Sequence, residues 1–281
     1  AAALEVQISG RVVSLFDQNE EGRVPGLVGR IAGGATVLLV RPLQQMLFPL
    51  GDLVVPVLSR LQSDAARYRR VFLEVNSGLA LLAFTGSGLL LPIARPVTLV
   101  LLGPRFEGAA PIFAGIAVAA GCIALGHAST WLFTSQGRGG DLLRSSVVTG
   151  IMTIASFVAG LPFGPVGVAT AWSVSGLTMR VPYLYYMAGR RGPVSTSSLI
   201  LGVAGYLPVG LATFAATAGA SLLVTDLQPV QQLAVCVPSG LVAAAVMTLS
   251  MRHSRQTVGR VIDACVELLR PRRGAEDASA V

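Results

Sequence analysis

Arg41, Gln44, Gln45, Asp52 and Ser59 recur inside one apolar stretch near the start of the chain. At 100° per residue they share one face of an ideal helix. A guanidinium and a carboxylate held in apolar surroundings cost several kcal/mol unless they meet water, another helix or a charged ligand. Arg41 can give two parallel hydrogen bonds to a phosphate, which makes the stripe a candidate anion-binding surface. Pro42, Pro49 and Pro56 interrupt the same stretch. Each removes a backbone donor and frees the carbonyl four residues earlier, as broken helices in transporters do.

Arg180 is the other candidate, placed toward the inner end of a later apolar stretch. It either snorkels to the surface or meets a phosphate in a cavity. Glu74 and Asn76 sit one turn inside a span, where an interfacial cap is expected. His127, with Trp131 a turn later, reads as structural. His127 and His253 are the two histidines, and no nucleophile elbow or paired-carboxylate motif accompanies them. The sequence therefore predicts a protein that is not an enzyme, with no cofactor and no metal. Cys122, Cys236 and Cys265 lack metal-ligand spacing and read as small buried side chains.

The elements that carry these residues are apolar spans. Only 12% of the 281 residues are charged and the mean hydropathy is +0.68. Soluble domains are charged at roughly a quarter of their residues, so lipid is the expected solvent. Seven spans of about 20 residues are expected, near 31–59, 71–93, 109–133, 145–163, 166–187, 198–224 and 229–251. All 21 basic residues are arginine, for a net charge of +7. They alternate between the gaps. Arg60, Arg67, Arg69 and Arg70 fill one gap, Arg138 and Arg144 another, Arg190 and Arg191 a third. The tail adds Arg252, Arg255, Arg260, Arg270, Arg272 and Arg273, while the intervening gaps hold only Arg95 and Arg105. The positive-inside rule then puts the C-terminus in the cytoplasm of a multi-pass protein of the bacterial plasma (inner) membrane. Arginines beside spans point to lipid head groups, not nucleic acid.

The expected organisation is a polar segment at 1–30, a helical membrane domain at 31–251 and a cytoplasmic tail at 252–281. Residues 95–106 are too short to span and are expected at the outer interface. Residues 255–270 alternate as an amphipathic surface helix or a helix packed on the loops, followed by a disordered end.

Several stretches resemble the polysaccharide exporter, or oligosaccharide flippase, family, and within it the colanic-acid-exporter-like branch. They are Pro42-Leu43-Gln44-Gln45 with Pro56-Val57-Leu58-Ser59-Arg60, then Leu101-Leu102-Gly103-Pro104-Arg105-Phe106, Gly137-Arg138, and Gly160-Leu161-Pro162-Phe163-Gly164-Pro165. The resemblance covers about residues 42–189 and implies an all-α polytopic bundle like the C-terminal lobe of such a flippase. It implies export of an undecaprenyl-pyrophosphate-linked oligosaccharide in lipopolysaccharide, exopolysaccharide or capsule biosynthesis. Arg41, Gln44, Gln45, Asp52 and Arg180 would then line the substrate path. A cation-coupled small-molecule exporter using Asp52 and Glu74, or a non-transporting subunit of a glycan-assembly complex, are the alternatives. Ile31-Ala32-Gly33-Gly34 departs from the family's aromatic-x-Arg-Ala run. With no counterpart of the first lobe, a missing N-terminal half or partner subunit is expected.

Overall fold

An apolar chain satisfies its backbone most cheaply by bonding each segment to itself, and this one does so with helices. The computed structural model describes residues 50–251, which are helical with no strand among them. Arg41, Gln44, Gln45 and the expected surface helix at 255–270 lie outside the described residues.

Residues 50–60 form α1. Ala65–Leu90 is α2 and Ala94–Leu102 the short α3. A 3-10 turn, Pro104–Ala109, leads into α4, Ala110–Ser135. Gly139–Gly160 is α5. Gly164–Ser175 is α6, joined through a single π turn, Gly176–Arg180, to α7, Val181–Gly189. Thr196–Ala204, Leu207–Leu223 and Pro229–Ser250 are α8, α9 and α10.

The starts have local causes. The Asp64 side chain accepts from the Arg67 N–H at 3.0 Å and caps α2. Gln228 and Gln231 form a reciprocal cap on α10. Pro111, Pro165, Pro208 and Pro229 sit in first turns, where no backbone donor is lost. Pro208 also explains why the expected span at 198–224 is broken between α8 and α9: it cannot donate to the carbonyl of Ala204. Tight turns need positive φ at Gly137 (65°) and Gly164 (70°), which glycine adopts without penalty.

Five helices are long and apolar enough to cross a membrane: Ala65–Leu90, Pro104–Ser135, Gly139–Gly189, Thr196–Leu223 and Pro229–Ser250. The third of these is 51 residues long and folds back at Leu161–Phe163. Phe157 of α5 meets Trp172 of α6 edge-on at 6.1 Å, so the two arms run antiparallel.

Helix α4 is the centre of the bundle and packs against α2, α3, α5, α6 and α7. Two thirds of its most apolar window is buried, against a third or less for the others. The outer helices instead turn large apolar side chains outward. On α5 these are Leu143, Val147, Ile151, Ile154 and Val158, one continuous stripe. At 1.5 Å per residue that stripe is about 22 Å long. Among the described residues no charged group interrupts it.

Small residues let the inner backbones approach. A Cβ on Gly88 of α2 would lie 2.5 Å from the carbonyl oxygen of Gly210 on α9, whereas one on Gly86 would meet nothing. Gly88→Ala should therefore destabilise the full chain by about 1–3 kcal/mol through overpacking, and Gly86→Ala should be neutral or slightly stabilising. Thermal denaturation in detergent checks the pair.

Candidate functional site

Three of the arginine-bearing loops meet at one end of the bundle. The loop before α2 joins the end of α4, where the Gln62 amide donates to the Ser135 carbonyl and the hydroxyls of Tyr68 and Ser135 lie 2.6 Å apart. Arg69 reaches across to Ser198 on α8 at 2.9 Å. Arg138 joins the third loop. Its Nη1 donates to the Ala188 carbonyl and its Nη2 to the Met187 carbonyl, both at 3.0 Å. Those carbonyls belong to the last turn of α7, where a cation is favoured by the helix dipole.

Arg138 is also the anchor for Asp141. Nε and Nη2 donate to the same carboxylate oxygen at 2.9 and 2.7 Å, and the guanidinium lies 5.2 Å from the Phe133 ring centre. Arg191 approaches the other carboxylate oxygen at 3.9 Å. The Arg138 hydrogen bonds hold the Asp141 carboxyl below the usual carboxylate range against opposing desolvation, and the charges of Arg138, Arg191 and Arg144 add smaller effects in the same direction. Arg138, Asp141, Arg144, Met187, Arg190 and Arg191 surround a hollow with about 230 Å³ of empty space, part of it open to solvent.

Arg180 stands apart from this end. Instead of snorkelling, its side chain is buried and turned back along its own helix. It donates to the Trp172 carbonyl at 2.7 Å and to the Thr153 hydroxyl at 3.3 Å, with its charge 5.5 Å from the Trp172 ring centre. The π turn explains the aim. The Val181 N–H bonds the Gly176 carbonyl five residues back, and the widened turn rotates Arg180 inward. Pro182, unable to bond the Thr178 carbonyl, removes the competing α-helical pattern. Gly176 leaves the room: a Cβ there would lie 2.9 Å from the guanidinium and 3.1 Å from Cys122. Arg180 thus clamps α5 to α6.

Of the other expected site residues, Arg41, Gln44 and Gln45 lie outside the described residues. Asp52 is exposed on α1, and Ser59 returns its hydroxyl to the Val55 carbonyl. Asn76 is no interfacial cap; it is buried and accepts from the Tyr185 hydroxyl at 3.0 Å, tying α2 to α7. Glu74 and His127 are half-buried and both engaged. In the sequence Arg138 has two readings, a topological charge and part of a Gly137-Arg138 loop motif, but no partner. The glycine before it and the aspartate three residues on were the available signs of a capped, folded loop.

No protein-family model matches the chain. No solved structure matches it. Curated relatives do. Proteins named ribosomal RNA small subunit methyltransferase I, from Mycobacterium bovis and Mycobacterium tuberculosis, are 38% identical over 116 residues. The match covers 40% of this chain, and the chain spans about a third (34%) of the length of those relatives. Those names belong to an enzyme acting on ribosomal RNA. They overturn two expectations: export of a lipid-linked oligosaccharide, with its exporter and glycan-assembly alternatives, and a chain that is not an enzyme. The associated terms of transport, flippase, and lipopolysaccharide, polysaccharide or exopolysaccharide biosynthesis fall with them.

Two outcomes follow from the cluster. Arg138→Ala leaves two carbonyls and a carboxylate without their donor, so the full chain should melt several degrees lower, and Arg138→Lys should recover part of the loss. Calorimetry or a thermal-shift assay reads this. The second is a pH dependence. Asp141 has a folded pKa below its unfolded value of about 4, so its contribution is present above that value. It is lost as pH falls through the lower, folded value. The stability gap between the native chain and Asp141→Asn should be full at neutral pH and close in acid.

Proposed function

We propose that the chain is a multi-pass membrane module whose basic end meets an anionic surface on the cytoplasmic side. One observation carries this reading: the loops bearing Arg60 to Arg70, Arg138 with Arg144, and Arg190 with Arg191 converge on one end of a bundle that turns apolar stripes outward. Cytoplasmic loops keep arginine, and anionic lipids attract such segments by about 1 kcal/mol per residue near the surface. The α5 and α6–α7 arms count as two crossings, which brings the described residues to six of the seven expected. The partners of this reading are membrane lipids, and the compartment is a bacterial plasma membrane with the C-terminus inside.

A second reading is methyl transfer, favoured by the names of the partial relatives. The helical module would then hold such an activity at the membrane.

Sided cysteine labelling tests the first reading. In a full chain whose native cysteines are replaced by serine, Ala65→Cys and Ser197→Cys, both at exposed positions, should be shielded from a membrane-impermeant maleimide in intact cells. Asp226→Cys should react. Reaction of all three, or of Ala65→Cys alone, would refute the orientation. For the second reading, the purified full chain is incubated with methyl-labelled S-adenosylmethionine and small ribosomal subunits. Label in the RNA above a heat-inactivated control supports methyl transfer, and background counts reject it.

A further inference from the structure

The geometry points to a phosphate-binding pocket in the hollow between the start of α5 and the end of α7. Its lining is a charge problem only partly solved by the fold. Asp141 is the one carboxylate there, and Arg138 already takes it with two hydrogen bonds. Arg138 spends its remaining donors on Gln136 and on the carbonyls of Met187 and Ala188. Arg191 touches Asp141 only at the 3.9 Å limit, and Arg144 and Arg190 have no ion pair among the described residues. Three exposed guanidinium groups therefore border a solvent-open hollow around a single, already occupied carboxylate.

Such a set attracts an oxyanion of more than one charge. Arginine presents a planar fork of donors, which matches the paired oxygens of a phosphate. The Arg138–Asp141 pair fixes the loop, so the site's framework exists before the ligand arrives. Nearby Gly192 keeps the rim open, since a Cβ there would lie 3.3 Å from an Arg138 nitrogen and 2.8 Å from the Ala188 carbonyl. The outward apolar stripe of α5 begins at Leu143, one residue before Arg144. The hollow therefore borders the apolar surface. The ligand chemistry is a phosphate, supplied by a lipid head group or by a free phosphate compound. Only the lipid source rests on the membrane reading, and binding of a free phosphate in detergent stands whether or not that reading holds.

The test compares two full-chain double variants that each lose two exposed charges at this end. Arg190→Gln with Arg191→Gln alters the pocket; Arg60→Gln with Arg70→Gln alters the same face outside it. Inorganic pyrophosphate is titrated against detergent-solubilised protein by calorimetry. Retained phosphatidylglycerol is counted by native mass spectrometry after release from nanodiscs of equimolar phosphatidylcholine and phosphatidylglycerol. The pocket variant should lose on the order of tenfold in affinity or most of its retained lipid, and the outer variant less than about twofold. A loss in the pyrophosphate arm identifies a free phosphate ligand, and a loss in the lipid arm alone identifies a head group. Equal losses in both variants would overturn the pocket in favour of diffuse attraction. Discrimination seen only with a short RNA oligonucleotide would overturn it too. Should the double variant fail to fold, Arg144→Gln carries the same comparison.

Discussion

Arg138 is the interaction on which the basic end depends. Helices pack side by side through apolar contact, but apolar contact does not fix how their ends meet. One guanidinium does so here, holding Asp141 at the start of α5 and the last carbonyls of α7. The bond set is charge-assisted and mostly shielded, since the Arg138 and Asp141 side chains are 14% and 13% exposed. With that corner fixed, Arg144, Arg190 and Arg191 are held close despite their mutual repulsion.

A second arginine solves a different problem. Arg180 lies where charge is expensive, and the fold meets the cost with a π turn, a missing side chain at Gly176, an aromatic face and a carbonyl. The same groups lock α5 against α6, so the charge contributes to packing as well as tolerating it. Around both clamps, α4 supplies the buried centre. The longer outer helices present apolar side chains to whatever surrounds them.

The helical segments and their order were legible from apolar length alone, because a run such as Ala110–Ser135 has no polar period to suggest anything else. The loop ends were legible from proline and glycine. The break before Pro208 and the π turn before Pro182 were not, since proline marks a missing donor without saying whether a helix kinks, widens or stops. The role of Arg180 sits at that turn, where the sequence left both the surface and a buried partner open. Arg138 was hidden for another reason, its partners being backbone carbonyls 49 and 50 residues away that no side-chain pattern announces. The function drawn from the family resemblance failed where it went beyond these physical signals. Soft loop motifs describe how helices are joined, which many activities share.

The central claim is that the outward apolar stripes face lipid. It is tested most directly by spin labels at Ile151, Ile154 and Val158 of α5, which are 61%, 48% and 59% exposed and lie along one face. With the full chain in nanodiscs, collisions with oxygen, which partitions into lipid, are compared with collisions with a water-soluble nickel chelate. The account predicts high oxygen and low nickel accessibility at all three positions. High nickel accessibility at these positions would mean that the stripe faces water, and would contradict the account.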